Sequence, residues 1–190
     1  MSLTHLLVPT FSNQLNSLAQ WLEKASLHAR EHGEDADAWL ALKLAPDMYP
    51  LAAQVRFAAF QALEPCYRLR GQSIPEGWLE RRRQAWAAHD HPGTLEQAQA
   101  CLRDALAELA ALEPAALDGR MDAPVALELP NGMVFDMGAE QYARDWALPQ
   151  FYFHAITAYA ILRHHGVALG KADYVAHMFA YLRPGTVPQG

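Results

Sequence analysis

Residues 148–166, which read LPQFYFHAITAYAILRHHG, decide the fold of this chain. They form its most apolar long run, with His154 in the middle and two further histidines at the end. A helix that is apolar on nearly every side is one that other helices surround. We therefore predict a buried helix from about Ala147 to Gly166 in a helical bundle, with His154 among its neighbours. Pro149 is compatible with a helix that starts near Ala147, because proline is favoured in a first turn.

The composition describes a chain with enough apolar residues for a core and an acidic net charge. It has 190 residues, of which 52% are hydrophobic, and a formal net charge of −6. This length predicts one domain over residues 1–190. The acidic charge argues against a nucleic-acid partner, whose phosphates require a basic surface. The one compact basic group, Arg81-Arg82-Arg83, is interpreted as a solvated helix face.

Cysteine usage and hydropathy predict a cytoplasmic protein without a membrane span. Cys66 and Cys101 lie far apart and form no CxxC pair, which is typical of buried thiols in a reducing compartment. The first residues lack the basic and apolar regions of a signal peptide. Gln150 and His154 interrupt the longest apolar run, so it does not predict a transmembrane helix.

Further helices are predicted from apolar stripes at helical spacing. The long ones cover about residues 10–32, 51–70 and 95–112, and shorter ones cover about 78–88 and 171–181. Pro65 predicts a kink or break in the second long helix near Gln61 to Leu63. Thr94 and Gln97 form a capping box at the start of the third.

One β-hairpin is predicted before the last bundle helix. Apolar residues alternate from Val125 to Leu129 and again from Met133 to Met137, on either side of Asn131-Gly132. Alternation around Asn-Gly is the strongest short-range signal of a hairpin. A lone hairpin is marginally stable, so it must lie on the bundle. The fold class is therefore all-α, a four-helix bundle with one small β-hairpin.

Histidines outside the middle of the last helix have simpler explanations than metal binding. His28 and His32 lie four residues apart at the end of the first helix, where a histidine is favourable against the helix dipole. The same holds for His164 and His165 at the end of the last helix. The tract 89–91, His-Asp-His, is followed by Pro-Gly and is interpreted as a solvated turn.

The candidate site is a set of polar residues that would converge on His154. Gln150 lies one turn before His154 on the same face, but an amide is a poor ligand beside one good imidazole. Asp47 and Gln54 near the start of the second long helix, and Tyr159 on the last helix, complete the set. An Asp–His pair can do general acid–base chemistry, because the carboxylate orients the imidazole and raises its pKa.

Three interpretations of this set stay open. Asp47 caps the second long helix and His154 is a core histidine. Alternatively, Asp47, Gln54, Gln150 and His154 line a polar pocket, in which His154, Asp47 and Tyr159 are the catalytic candidates. In the third, His154, with Gln150 at best, binds a divalent metal.

Three tracts resemble one family. They are LAPDMYPLAAQV at 44–55, LPQFYFH at 148–154 and AYAILRHHGV at 158–167. Together they look like the domain of unknown function 1993 family, which is similar to the DinB/YfiT-like four-helix bundles. That superfamily implies a DinB-like bundle, and many of its members bind a divalent metal through three histidines. It also includes thiol-dependent transferases.

The resemblance carries over one metal ligand of the three. When Leu162-Arg163 and Gly166 are aligned with the superfamily's last helix, one histidine ligand falls on His154 and another falls on Gln150. The remaining ligand belongs early in the second long helix, where residues 50–54 contain no histidine.

The expected function follows from this partial match. We expect a DinB-like protein that lacks the full three-histidine site and has a small-molecule or partner pocket around His154. The alternatives are a metal-dependent hydrolase or thiol-dependent transferase that uses Zn or Ni, and a structural or stress-response interaction module. A homodimer is expected by analogy with such bundles.

Overall fold

The computed structural model describes residues 2–129 and 131–186, most of which are helical. The helices are α1 (Leu3–Glu31), α2 (Leu51–Arg68), α3 (Glu76–Trp86), α4 (Leu95–Ala110), α5 (Ala139–Gln141), α6 (Leu148–His164) and α7 (Lys171–Tyr174). A π-helical segment, Tyr142–Ala147, joins α5 to α6, and 3₁₀ turns cover Ala36–Ala41 and Ala176–Tyr181. The strands are β1 (Val125–Glu128) and β2 (Val134–Met137). The all-α class with a small hairpin is confirmed.

The long helices α1, α2, α4 and α6 form the bundle, in which α1 and α2 each pack against both α4 and α6. Aromatic rings of α1 and α6 meet in the same order along both helices: Phe11 with Phe151, then Trp21 with Tyr159. Helices α1 and α6 are therefore parallel. The connections between the long helices hold α3, which packs on α2, and the hairpin.

The most enclosed helix is α2, because α3, α4 and α6 all pack against it. Of its 18 residues, 15 are buried. Helix α6 instead leaves one apolar face open, where Phe153 is 58% exposed and Ile156 is 47% exposed. The prediction that other helices surround residues 148–166 on all sides is therefore wrong for this face, although His154 itself is buried.

Helix α1 begins at Leu3, about two turns before the predicted start. Asp118 accepts hydrogen bonds from the backbone N–H groups of Leu3 (2.6 Å) and Thr4 (3.2 Å), and Ser2 caps the N–H of His5. These bonds satisfy the donors that a helix start leaves free. The capping carboxylate lies more than 110 residues away in the chain, so the local pattern did not reveal it.

The predicted break in α2 is absent. The helix runs through Pro65 to Arg68 without interruption. Proline removes one hydrogen bond from a helix, but tertiary packing supplies most of the stability of a buried helix. Because Pro65 and its neighbours are buried, packing outweighs the lost bond here.

The last bundle helix begins earlier than predicted. Its α-helical part starts at Leu148, close to the prediction, but helical backbone already runs from Ala139 through the π segment. Pro149 has no N–H to donate to the carbonyl of Asp145, and its ring crowds that carbonyl. A widened π turn is a usual way for a helix to absorb such a defect.

The hairpin is confirmed, with Val125 opposite Met137 and Glu128 opposite Val134. Strand β1 buries Val125 and Leu127 in the core, whereas β2 contributes only the half-buried Met137. Arg68, at the end of α2, donates to the carbonyl of Ala126 and ties the hairpin to the bundle.

The predicted final helix over 171–181 is divided in two. Helix α7 ends at Tyr174, and the chain passes through Val175 into a 3₁₀ turn. Tyr174 stacks on Trp21 of α1, which fixes this segment against the bundle. Among the described residues, no helix combines the length and the hydropathy that crossing a bilayer requires.

Candidate functional site

His154 on α6 forms a hydrogen bond with Gln54 on α2. The distance between His154 Nδ1 and Gln54 Oε1 is 2.8 Å. The other end of the same amide, Nε2, donates to the backbone carbonyl of Tyr49. The amide is therefore oriented with its oxygen towards the imidazole. Because this oxygen only accepts, His154 carries its proton on Nδ1, and Nε2 holds the free lone pair.

Aromatic rings cover the imidazole. The ring of Phe57 stacks on His154 at 4.8 Å between centroids, and the ring of Phe153 meets it edge-on at 5.3 Å. Tyr49 packs against Phe57. His154 is only 9% exposed, and this burial lowers its pKa to about 4. His154 is thus a neutral imidazole near neutral pH, and no hydrogen bond reaches its Nε2 from residues 2–129 or 131–186.

The other predicted site residues do not converge on His154. Gln150 lies half-buried one turn earlier on α6 and forms no side-chain hydrogen bond within the described chain. Asp47 is exposed, and nothing in the described part of the chain joins it to His154. Tyr159 packs against Trp21 and Tyr174 instead.

The predicted capping role of Asp47 is also wrong. The N-cap residue of α2 is Pro50, and no side chain caps this helix. Asp47 instead lines a shallow surface cleft together with Lys43 and His89. An Asp47–His154 acid–base pair is therefore not formed. The pairing partner of His154 is Gln54, an amide that has no charge to raise the pKa of the imidazole.

The residues around His154 do not fit the three-histidine metal site that the fold implies. The donor set is one imidazole and the two amides of Gln54 and Gln150, and Gln54 Oε1 already accepts from His154 Nδ1. Zn and Ni sites are built from histidine, cysteine and carboxylate ligands. In the part of the chain that the structure describes, no three such residues are grouped to hold a metal ion.

Among the other histidines, His32, His89 and His165 have hydrogen-bond contacts of their own. His32 Nδ1 lies 2.8 Å from the carbonyl oxygen of His28 on the same helix. His89 Nδ1 lies 2.8 Å from Lys43 Nζ, and His165 Nε2 lies 3.2 Å from the carbonyl oxygen of Lys43. These contacts agree with the interpretation of these residues as helix-end and turn histidines.

A second buried polar group lies further along α2. Glu64 pairs with Arg68 at 2.9 Å in the i,i+4 relation. Tyr142, in the π segment, is fully buried, and within the described chain its hydroxyl has no hydrogen-bond partner. Burial, and then the charge of Glu64, raise the pKa of Tyr142.

The sequence interpretation missed one feature, a cleft of about 620 Å³ between α2, α3 and α4. The residues that line it include Arg56, Arg81 and Cys101. A signal was present in the sequence, since Arg56 is a lone cation between the apolar residues of the most buried helix.

The arginines of α3 also differ from prediction. Arg81 lies over the ring of Trp78 at 4.4 Å, and Arg82 lies over the ring of Phe60 at 5.0 Å. Arg83 pairs with glutamates on its own helix. A solvated face is thus correct for Arg83 and wrong for Arg81 and Arg82, because guanidinium planes stack on aromatic rings.

Comparisons with known proteins agree with this fold. Residues 3–175 match the family described as Domain of unknown function (DUF1993). Among solved structures, a DinB family member protein from Shewanella denitrificans is similar, with 29% sequence identity and a TM-score of 0.75. The alignment covers 98% of this chain and 96% of that one. No curated protein matches the chain significantly.

Proposed function

Because this chain belongs to the DUF1993 family and shares its fold with a DinB family member, we propose that it binds an uncharged small molecule beside His154 and does so without a metal. The proposal takes residues 1–190 as one DinB-like domain. The observation that carries it is the 2.8 Å bond between His154 and Gln54, which sets His154 Nε2 as a free acceptor.

The surroundings of His154 define the chemistry of the ligand. A neutral imidazole nitrogen accepts a hydrogen bond from an O–H or N–H group. Tyr49 and Phe153 are 45% and 58% exposed, so their rings offer apolar surface next to this acceptor. A flat, uncharged molecule with one donor group, of the phenol or indole class, matches this combination.

The test is an NMR titration of ¹⁵N-histidine-labelled protein with phenol and with indole. We expect the His154 Nε2 resonance to move on addition of ligand while Nδ1 remains protonated. His154→Phe abolishes binding, and Phe153→Ala weakens it. His164→Gln, at an exposed histidine on the same helix, leaves it unchanged. If neither probe moves the Nε2 resonance at millimolar concentration, the proposal fails.

The metal-dependent alternative has its own test. Elemental analysis of protein purified without a histidine tag should find no stoichiometric Zn or Ni. A full equivalent of either metal that His154→Ala removes would overturn the metal-free proposal. It would favour a metal-dependent hydrolase or thiol-dependent transferase instead.

A partner protein is the competing occupant of this surface, and a homodimer is its simplest form. Phe153 and Ile156 are exposed on one face of α6, which supports this alternative. Light scattering on the wild-type chain without added ligand decides between a small-molecule site and a dimer interface. A dimer that Phe153→Ser converts to a monomer would assign the surface to self-association, as an interaction module requires, and would leave no room for the small molecule.

A cytoplasmic location belongs to the same proposal. Cys66 and Cys101 are both free and buried, which is typical of proteins in a reducing compartment. Fractionation of cells that express the untagged chain would test the location.

A further inference from the structure

The cleft between α2, α3 and α4 lies apart from His154. None of the residues that surround the imidazole lines it. Its volume of about 620 Å³ lies within the range of small-molecule sites in proteins. A ligand could therefore occupy this cleft whether or not His154 binds one.

Arg56 supplies an uncompensated positive charge to this cleft. Its Nη1 donates to the carbonyls of Gln84 and His91, and its Nη2 donates to the carbonyl of Pro92 at 2.7 Å. Within the described residues no carboxylate pairs with Arg56. A guanidinium has five N–H donors, so two remain for a ligand. Burial lowers the pKa of Arg56, as expected for a cation that lacks a countercharge.

Arg81 supplies the second guanidinium. It forms an ion pair with Asp104 through Nη2, and its plane lies over the ring of Trp78. Its Nη1 is buried and has no hydrogen-bond partner in the described chain. The stacked ring and the ion pair hold Arg81 in place, so a ligand that binds Nη1 need not order the side chain.

The one acidic residue among those that line the cleft, Glu80, has hydrogen-bond partners on its own helix. Glu80 accepts from Arg83 Nε at 2.8 Å through one oxygen and from Gln84 Nε2 at 3.3 Å through the other. Among the residues that line the cleft, two arginines therefore outnumber one carboxylate, in a chain whose formal net charge is −6. Such a local field attracts anions and repels cations.

Gly93 leaves the space that Arg56 needs. A Cβ at this position would lie 2.7 Å from Arg56 Nη2 and 2.4 Å from Gln97 Oε1, and the glycine has a φ of +78°. A larger residue would have to displace the ends of both side chains and would be strained at this φ. The glycine therefore leaves the Arg56 head group undisturbed at the wall of the cleft.

From these observations we propose that the cleft binds the oxyanion group of a small metabolite, a carboxylate or a phosphate, between Arg56 and Arg81. Guanidinium groups match the planar, multidentate acceptors of both anions. The three carbonyl bonds of Arg56 hold it against α3 and the loop that follows α3. Its two remaining donors and the free Nη1 of Arg81 bind the anion. The rest of the cleft has room for the organic part of the ligand.

The test is calorimetric titration of the full chain with inorganic phosphate and, separately, with malonate. We expect at least one of the two to bind, and to bind more weakly as the salt concentration rises. Binding of phosphate alone identifies a phosphate ester as the ligand class, and binding of malonate alone identifies a carboxylate.

Two variants separate a binding site from a structural role of the arginines. Arg81→Gln should weaken binding at least about tenfold, since a hydrogen bond to a charged group is lost. Arg103→Gln is its matched control, because Arg103 lies on α4, is exposed and, in the part of the chain that the structure describes, pairs with Glu96 alone. It makes the same change in charge and should leave binding intact.

Ala100→Glu is the second variant, and it leaves both arginines in place. It adds a negative charge to the cleft wall in a residue that favours helix, and it should abolish binding. Ala110→Glu, at the exposed end of the same helix, should not. Thermal unfolding of every variant verifies the fold. The proposal is overturned if neither anion binds the wild-type chain, or if Arg81→Gln and Ala100→Glu, both folded, bind as well as wild type.

Discussion

Gln54 and His154 are separated by 100 positions in the chain and share a 2.8 Å hydrogen bond between α2 and α6. In a DinB-like metal site, histidines would occupy the start of the second bundle helix and this part of the last one. Here an amide oxygen faces the imidazole, and this oxygen can only accept a hydrogen bond. The bond therefore occupies His154 Nδ1 and leaves the other ring nitrogen, Nε2, free to accept.

The stability of the protein should fall as His154 becomes protonated in the unfolded state. Burial lowers its pKa from 6.5 to about 4 in the folded chain, so the unfolded chain binds the proton first as the pH decreases. The contribution of neutral His154 to the free energy of unfolding is therefore complete above about pH 6.5. It decreases towards pH 4, by up to about 3 kcal/mol. Urea unfolding of wild type and His154→Phe across this range measures it. His164→Phe, at an exposed histidine of the same helix, is the control. Its free energy of unfolding should depend on pH in the same way as that of wild type.

Gln54→Glu should raise the pKa of His154. A carboxylate opposite Nδ1 favours the imidazolium, whereas the amide does not. An NMR titration of the imidazole should show a midpoint well above that of the wild-type protein. Gln150→Glu, one turn away and without a bond to His154, should give a smaller rise. An equal rise in both variants would contradict the assignment of Gln54 as the partner.

Tyr142→Phe should leave the protein as stable as wild type or stabilise it by up to about 1 kcal/mol, because it removes a buried hydroxyl that has no partner among residues 2–129 and 131–186. Tyr67→Phe is the contrast, since the Tyr67 hydroxyl donates to Glu108 at 2.5 Å. Its loss should cost about 1–2 kcal/mol. Chemical denaturation of both variants decides the matter. A large loss in Tyr142→Phe would show that its hydroxyl is bonded.

Asp118→Ala should destabilise the start of α1 by about 1 kcal/mol. Burial acts to raise the pKa of Asp118, but hydrogen bonds from Ser2, Thr4 and Leu3 outweigh it and lower the pKa. The stabilisation is therefore present above the ordinary pKa of about 4 and is lost as the pH falls through the lower folded value. Unfolding free energies of wild type and variant should converge in acid. Asp122→Ala, at an exposed carboxylate nearby, should show no such effect.

Local sequence patterns were sufficient to predict most helices and the hairpin, but not the features that depend on contacts between distant residues. The capping box at Thr94 and the Asn131-Gly132 turn are encoded within a few residues, and both form as predicted. The start of α1 depends on Asp118, and the continuity of α2 depends on packing around Pro65, so neither is visible locally.

The candidate site shows the same division. His154 was identified from its place in an apolar helix, and Gln54 from its place early in α2. Their bond, and the absence of one to Asp47, depends on which faces of α2 and α6 meet in three dimensions. The Arg56 cleft lay outside the prediction because its walls come from three helices whose relative positions only tertiary packing sets.

The π segment at Tyr142–Ala147 has a consequence for the phase of the last helix. A π turn accommodates about one residue more than an α turn, which rotates everything before it by about 100° relative to everything after it. Tyr142 and Ala143 point into the core under this rotation, and so does His154 further on. Loss of a single residue from this segment would therefore change the rotation of the helix before it relative to the helix after it. It would keep the length nearly constant while rotating one half by about 100°, so that part of its buried face would turn towards solvent.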